Sequence, residues 1–456
     1  ELGIKVLLPE AREILAKGGA VIRDEDMVFF GRDMVDAALA SAPKSFALCG
    51  AVAARDLQME LGCLAVQPGA GAPHATDLVR GRRPGSLQDF TEFVQLIHGI
   101  DALHMVPPVV EPQDVPPNTR HYAMTRAIMA NSDRAPFVFS RGRGQVMDCL
   151  EMVRDFRGMS DKDFMADSHV YTIVNTNSPR QIDIPMALGL IDFARHGQMV
   201  IVTPFTLMGA MAPITVVGAL TLSHAEALAA ITLTQLARPG APVTYGTFTS
   251  NVDMKSGAPA FGTPEQVRAT IGAGQLARLV GLPWRCAAGS AANINDAQAA
   301  HETEISAWAC MLAGSTIMIH GAGWLEGGLT VSYEKLITDM EMIQTFAELC
   351  TPTPAGEAEI GLDTLREVMP GGHFFGAAHT MEHYLTEFYP PLVHDWSNIG
   401  TWEERGAQDA STRATAIWQR MLHDFTPPAC CNPDRLEGLD AFIAKRSAEG
   451  GAHPEG

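Results

Sequence analysis

The sequence predicts an α/β fold: a (β/α)8 TIM barrel with an N-terminal α+β extension and a helical C-terminal tail. Two observations carry this. From about Leu103 onward one unit recurs at a spacing of roughly 30–45 residues, an apolar strand-like run followed by a turn and a helix-like run, and the chain holds seven or eight such units. No G-x-G-x-x-G turn follows the first of these strands, which tells against a doubly wound open sheet, the other architecture that such alternation allows.

Taken in order, residues 1 to about 95 form the extension, 96–400 the barrel and 401–456 the tail. In the extension, "VIRDEDMVFF", "SFALCG" and "DLQMELGCLAVQPGAG" read as short strands of an antiparallel add-on. Barrel strands are expected at 103–110, 136–141, 169–177, 199–206, 242–250, 283–290 and 315–320, with an eighth and faintest signal at "HFFGA" (373–377). Helices are expected between them at 120–132 and 144–158, and at 185–197, where Pro185 opens the first turn and Gly197 stops it. Three more helices open on a side-chain cap: Thr263 for 263–281, Asp296 for 296–314 and Ser332 for 332–350. The tail holds a helix at 411–425, stopped by Pro427 and Pro428, and a short final helix near 435–446.

The bulk numbers narrow the function classes. With 456 residues, 46% of them hydrophobic and 19% charged, the chain can bury a large core. A net charge of −19 argues against a nucleic-acid partner, which needs a basic face. No run of 18 uncharged apolar residues occurs; 208–222 comes nearest and is interrupted by Gly209, Pro213 and Gly218, so no membrane association is expected. Eight cysteines without a CxxC pair suit a reducing compartment, and the cytoplasm is the expected location. The chain begins at Glu1 without a methionine, so residues of the native N-terminus are expected to be missing.

The strands end in polar, glycine-, serine- or asparagine-rich turns: "NTNS", "TPFTLMG", "YGTFTSNVD", "AAGSAANIND" and "HGAGWLEGG". Strand C-termini are where a barrel builds its site. At or near these ends stand Phe205, Tyr245, Phe248, Phe261, Trp284 and Trp324, which are either core and loop-packing aromatics or, for two or three of them, a cage for a cation without N–H donors. His320 closes the seventh strand and is expected at the mouth; the alternative is a core histidine bonded to a neighbouring loop.

These stretches resemble the trimethylamine methyltransferase family, in its branch without pyrrolysine, which includes glycine betaine:corrinoid methyltransferases. The matching motifs are "GAPHATDLVRGRRPGSLQDF" (71–90), "DVPPNTRHYAM" (114–124), "YGTFTSNVDMKSGAPAFGTPE" (245–265), "INDAQAAHE" (294–302), "HGAGWLEGGLTVSYEKL" (320–336) and "GGHFFGAAHTMEHY" (371–384). The resemblance implies a barrel that passes a methyl group from a methylated amine to cobalamin on a partner corrinoid protein, and a homo-oligomer. No pyrrolysine is written here, which shifts the expected substrate from trimethylamine to a quaternary amine such as glycine betaine. Another acceptor such as tetrahydrofolate, free cobalamin, or a non-catalytic betaine-binding barrel are the alternatives.

On this reading His320, Asp77 and Glu326 are the expected catalytic residues, Asp77 folding over the mouth and Glu326 orienting His320 or balancing the ammonium. Phe205, Tyr245, Phe248, Trp284, Trp324, Arg285 and Asn175 are expected to bind substrate, Arg285 and Asn175 through a carboxylate unless they serve an interior ion pair or a turn. Gly321, Gly323, Asn177 and His379 are expected to meet the corrin. Asp77 and Glu326 also have plain readings, as a turn aspartate and a solvated loop carboxylate.

Two motifs are set aside. "HTMEH" (379–383) fits the H-x-x-E-H peptidase pattern, but five letters recur by chance and Pro390 soon ends any helix. Cys286 and His320 fall on neighbouring strands without a third zinc ligand, so no metal is expected.

Overall fold

The structure, a computed structural model, describes residues 2–455. Its centre is a six-stranded parallel sheet in the order Ala65–Val66, Ile317–Ile319, Trp284–Ala287, Val243–Gly246, Met199–Val202 and Tyr171–Val174. The sheet curls. Beyond its Tyr171–Val174 edge, isolated bridges join Phe137 to Tyr171, with Val138 N–H bonding Tyr171 (2.9 Å), and Val106 to Pro136, with Phe137 N–H bonding Val106 (3.1 Å), while His104 N–H reaches Val66 (2.9 Å) at the opposite edge. The result is a mixed α/β fold.

Side-chain alternation divides the core into two. Met199, Ile201, Ala287, Ile317 and Ile319 point into the curl, together with Tyr171, whose hydroxyl donates to Gln67 Oε1 at 2.9 Å. Val200, Val202, Val243, Cys286 and Met318 point outward against a helix layer. Below the curl the antiparallel hairpin Ser45–Leu48/Leu57–Glu60 brings the fully buried Leu48 and Met59 against the inner cluster.

Most expected helices form, and for the expected reasons. Thr263, Asp296 and Ser332 each accept backbone N–H groups at the starts of Pro264–Val280, Ala297–Leu312 and Tyr333–Leu349. The helices Arg120–Asn131, Arg143–Arg157 and Ile184–Arg195 also stand where expected. In the tail, Ala410–His423 packs on Tyr333–Leu349 through Trp418, whose Nε1–H donates to Glu334 at 3.0 Å. Pro433–Ala448 packs on Arg143–Arg157, where Arg446 pairs with Asp148 at 3.0 Å.

Three expectations are corrected. The segment 373–377 is a series of bends and turns, not a strand. Ala65–Val66, from the stretch assigned to the extension, lies parallel to Ile317–Ile319 instead; two residues are too few to show a periodicity. The 22-residue helix Val216–Ala237 was not foreseen, because it is apolar on nearly all sides and shows no helical stripe. It is the one helix among the described residues long and apolar enough to cross a membrane, but half of that window is buried in the protein. It also carries the buried Glu226, which accepts from Ser178 Oγ (2.6 Å) and Arg180 N–H (2.6 Å).

The antiparallel add-on forms as Ile4–Val6, Met27–Phe29 and Val21–Arg23, extended in parallel by Gln181–Ile182. The strand ends carry a second layer. Phe205–Met208 runs parallel to Phe248–Val252, and Trp324–Leu325 turns back on Thr330–Ser332, which in turn pairs with His74–Thr76.

The hairpin closes the lower end of the inner cluster, so truncation of Met59 tests its contribution. Met59→Ala is expected to cost about 2–4 kcal/mol, read as a lower denaturant midpoint at unchanged slope.

Candidate active site

The strand Ile317–Ile319 stops at His320, which adopts a left-handed backbone conformation (φ 58°) that non-glycine residues seldom take. The turn lays the imidazole flat on the Trp324 indole, with centroids 4.3 Å apart and planes 12° from parallel. Phe248 lies 5.5 Å from His320 and 6.0 Å from Trp324; Phe261 lies 5.0 Å from Trp324 and Phe205 lies 4.9 Å from Phe248. The indole is wedged between backbones. A Cβ on Gly289 or Gly328, both at positive φ, would stand 2.3 or 2.5 Å from its ring carbons, and one on Gly69 would stand 3.0 Å away. The 323–324 turn is held from behind by Asp339, which accepts Gly323 N–H (2.8 Å) and pairs with the buried Lys335 (2.8 Å).

These side chains border a cavity of about 390 Å³ at the C-terminal ends of the strands. Its aromatic wall is Phe137, Phe139, Phe205, Phe248 and Trp324, and its polar groups include Asn175, Ser140, Arg141, Arg285 and His320. Among the described residues no carboxylate lines it. The two arginines differ. Arg141 stacks on Phe139 (4.0 Å to the centroid) and pairs with Glu111 (3.0 Å through Nη1). Arg285 is 2% exposed, lies 5.0 Å from the Phe248 centroid, and makes one hydrogen bond, from Nη1 to Thr247 O (3.1 Å). Its Nε–H has no partner, and among the described residues no carboxylate lies within ion-pair distance of it. Burial pulls its proton affinity down to about 9, and the guanidinium stays charged at neutral pH.

His320 is buried, and burial first, then the Arg285 charge, hold its pKa well below the usual histidine value. It is neutral at pH 7. Its Nδ1 accepts the Ala70 N–H at 3.3 Å, which leaves the proton on Nε2.

The structure gathers six expected residues at this cavity: His320, Trp324, Phe205, Phe248, Arg285 and Asn175. The others lie elsewhere. Tyr245 and Trp284 face the helix layer, where Tyr245 Oη meets His224 (3.1 Å) and Trp284 Nε1–H donates to Gly314 (2.7 Å). Asp77 is a buried turn residue that accepts Val79 N–H (2.9 Å) and binds Arg80 and Arg83 (2.8 Å each). Glu326 does not reach His320; it forms a two-pronged pair with Arg82 (2.8 and 2.9 Å). Asn177 braces the Asp183 cap (2.9 Å). Gly321 is required by Val66, 3.0 Å from where a Cβ would stand, and Gly323 by its positive φ. His379 lies on the outlying helix Ala378–His383, beside His383 (4.6 Å). Cys286 faces outward with Cys310, away from His320. Phe137, Phe139 and Arg141 were missed, although their i, i+2, i+4 spacing in "PFVFSR" places them on one face of a strand.

A curled parallel sheet with a small aromatic cavity at its strand ends is an arrangement in which small-molecule enzymes build their sites. Residues 1–451 match the family model "Trimethylamine methyltransferase (MTTB)", so the chain belongs to the trimethylamine methyltransferase family and is a methyltransferase. The glycine betaine methyltransferase of Desulfitobacterium hafniense (strain Y51) is 32% identical over 454 residues, covering 99% of this chain and 94% of that protein. The trimethylamine methyltransferase MttB of Desulfitobacterium hafniense (strain DSM 10664 / DCB-2) is 28% identical over 431 residues, covering 93% and 86%. In fold the chain is similar to the crystal structure of the Methanosarcina barkeri monomethylamine methyltransferase MtmB, at 12% identity and a TM-score of 0.52 over 95% of this chain and 86% of that one.

Two outcomes are expected. Gly289→Ala, at φ 127°, should displace the indole, lowering stability by about 1–3 kcal/mol and altering tryptophan fluorescence. Because the folded chain holds the His320 pKa below its unfolded value, the unfolded state takes up the proton first as pH falls, and stability is lost below about pH 6.5. His320→Asn, which tolerates the left-handed backbone, should flatten that loss between pH 6.5 and 5 by at most one proton's slope, about 1.4 kcal/mol per pH unit, in denaturation measured at each pH.

Proposed function

We propose that this methyltransferase takes a methyl group from a carboxylated quaternary amine, glycine betaine or a related betaine, and delivers it to Co(I) of cobalamin carried by a partner corrinoid protein. The observation that carries the reading is Arg285: a buried guanidinium with no acid partner, in a cavity that has aromatic faces and no carboxylate. A betaine matches both features. Its trimethylammonium end suits Phe205, Phe248 and Trp324, at about 0.5–2 kcal/mol per ring, and its carboxylate neutralises Arg285. A bare or alcohol-bearing ammonium would leave two buried positive charges facing each other. The Nε2–H of neutral His320 is suited to donate to the same carboxylate.

In the transfer the N–CH3 bond breaks, its electron pair stays on nitrogen, and a neutral tertiary amine leaves. Reduced cobalamin supplies the nucleophile, so the protein's task is to hold the methyl in line with it. Positioning of this kind is worth up to roughly 7–11 kcal/mol. The wedged indole and stacked imidazole support such rigid placement. A cavity of about 390 Å³ would take a small amine, and a corrin would have to be presented from outside it. We infer further that the six strands and the bridged segments at 104–106 and 135–138 close an eight-membered (β/α)8 ring. Its mouth is rimmed by loop residues with exposed apolar side chains, Leu78, Val79, Ile214, Met254, Ile294 and Leu329, a surface suited to an incoming partner protein. The eight free cysteines support a cytoplasmic location.

The test is methylation of Co(I) cobalamin, followed by absorbance, with glycine betaine, carnitine, choline and tetramethylammonium. Carboxylated amines should react best, and glycine betaine but not choline should raise the melting temperature. Arg285→Gln should lower kcat/KM for glycine betaine by roughly 30- to 1,000-fold while choline turnover changes little, since about 2–4 kcal/mol of charge-assisted binding is lost. Preference of the unaltered enzyme for choline would overturn the reading, and methyl transfer to tetrahydrofolate without cobalamin would overturn the acceptor.

A further inference from the structure

We propose that Thr249 is a positioning residue of the methyl-transfer site: its buried hydroxyl sets the spacing of Phe205 and Phe248, the paired rings that hold the methylated amine. Contact between these rings and the amine rests on the proposed function. Phe205–Met208 and Phe248–Val252 run parallel, with Phe205 opposite Phe248 and Thr206 opposite Thr249. With a side-chain period of two, the phenylalanines face the cavity and the threonines face away from it. Behind the rings lies a chain of hydroxyls. Ser223 Oγ donates to Thr247 Oγ1 at 3.1 Å, Thr247 Oγ1 meets Thr249 Oγ1 at 2.7 Å, and Thr249 Oγ1 meets Thr206 Oγ1 at 2.6 Å. All four residues are buried, at 4% exposure or less.

The chain reaches both ends of the cavity's polar and aromatic lining. Thr247 precedes Phe248 and engages Arg285 twice through its backbone, its N–H donating to Arg285 O at 3.2 Å and its own O accepting Arg285 Nη1 at 3.1 Å. Ser223 belongs to Val216–Ala237, the helix that packs on both strands. Thr249 is the link that carries the chain across to the strand of Phe205.

Packing alone does not require these oxygens. Valine has the shape of threonine and the same preference for strands, and hydroxyls that bond only one another must first give up water. What oxygen allows is closeness. The hydroxyls stand 2.6 and 2.7 Å apart, whereas a carbon approaches an oxygen no closer than about 3.3–3.6 Å. A methyl in place of Thr249 Oγ1 therefore spreads the strands, or turns Phe248, by about 0.6–1 Å. The rings have little room for that, with centroids 4.9 Å apart and Arg285 5.0 Å from the Phe248 centroid. Attraction between a ring and a cation changes little over such a distance. Alignment of a methyl group with its acceptor is steep, and an error of about 1 Å costs on the order of 100-fold in rate.

A double-mutant cycle on the full chain tests this, with Co(I) cobalamin and glycine betaine, or whichever quaternary amine the unaltered enzyme turns over fastest. Thr249→Val is expected to lower kcat by roughly 10- to 100-fold at a KM within about threefold, with circular dichroism and cooperative melting kept. Thr206→Val breaks the same contact from the other strand and should give the same pattern. Thr249→Ser retains the oxygen and should recover the rate to within about threefold. In a Phe248→Leu background, itself slow, Thr249→Val should cost less than about twofold, because the ring it places is gone. Normal turnover by both valine variants would overturn the proposal. So would a serine variant as slow as the valine, or a valine that costs as much without Phe248 as with it. A slow Phe248→Leu beside a normal Thr249→Val strikes this inference alone, whereas a normal Phe248→Leu also strikes the placement of the amine on that ring.

Discussion

Side-chain alternation along the strand Trp284–Ala287 is the constraint from which the site follows. With a period of two, Arg285 and Ala287 face into the curl while Trp284 and Cys286 face the helices, and a one-residue slip would exchange the sets. The register fixes the phase: Arg285 lies opposite Ile317 and Ala287 opposite Ile319, both inward residues. Apolar side chains and the lower hairpin fill the curl from below, so the inward guanidinium is left in a cavity instead of reaching water. Its burial, its single hydrogen bond and its position against Phe248 are consequences of that placement.

Several costs meet around this cavity. Arg285 Nε and Trp324 Nε1 are buried without partners, and His320 carries a left-handed backbone. The surroundings keep them in place. Glycines 69, 289 and 328 leave no slack around the indole, and Asp339 with Lys335 anchors the turn from the helix behind it. Charge is handled differently a few residues away: Arg141 has Glu111, Arg82 has Glu326, and Arg80 and Arg83 have Asp77. The one lining arginine without an acid is therefore the group on which a ligand's negative charge has the most to act.

Exposed large apolar side chains occur, among other places, on the loops after the strands and along 360–388. Around the strand ends they are scattered over separate loops, one or two side chains each. Along 360–388 ten such side chains are exposed on a segment in which only Ala377 is buried.

Local chemistry made much of this legible before any coordinates. Threonine, aspartate and serine caps set helix starts at 264, 297 and 333, because capping needs only a side-chain oxygen and the next turn. Strand ends rich in glycine and aromatics pointed to this cavity, where His320, Trp324, Phe205, Phe248, Arg285 and Asn175 meet. Other decisions belonged to the tertiary structure. Which face Tyr245 and Trp284 present depends on pairing register, which a single strand does not contain. That Asp77 and Glu326 are consumed by nearby arginines depends on turns that bring those arginines close. Ala65–Val66 joins the sheet between Ile317–Ile319 and His104, whereas 373–377 forms bends and turns. Sequence determined the local preferences and the inventory of groups; packing determined which charges were neutralised and which one was left facing a cavity, because burial and ion pairing are properties of neighbours distant along the chain.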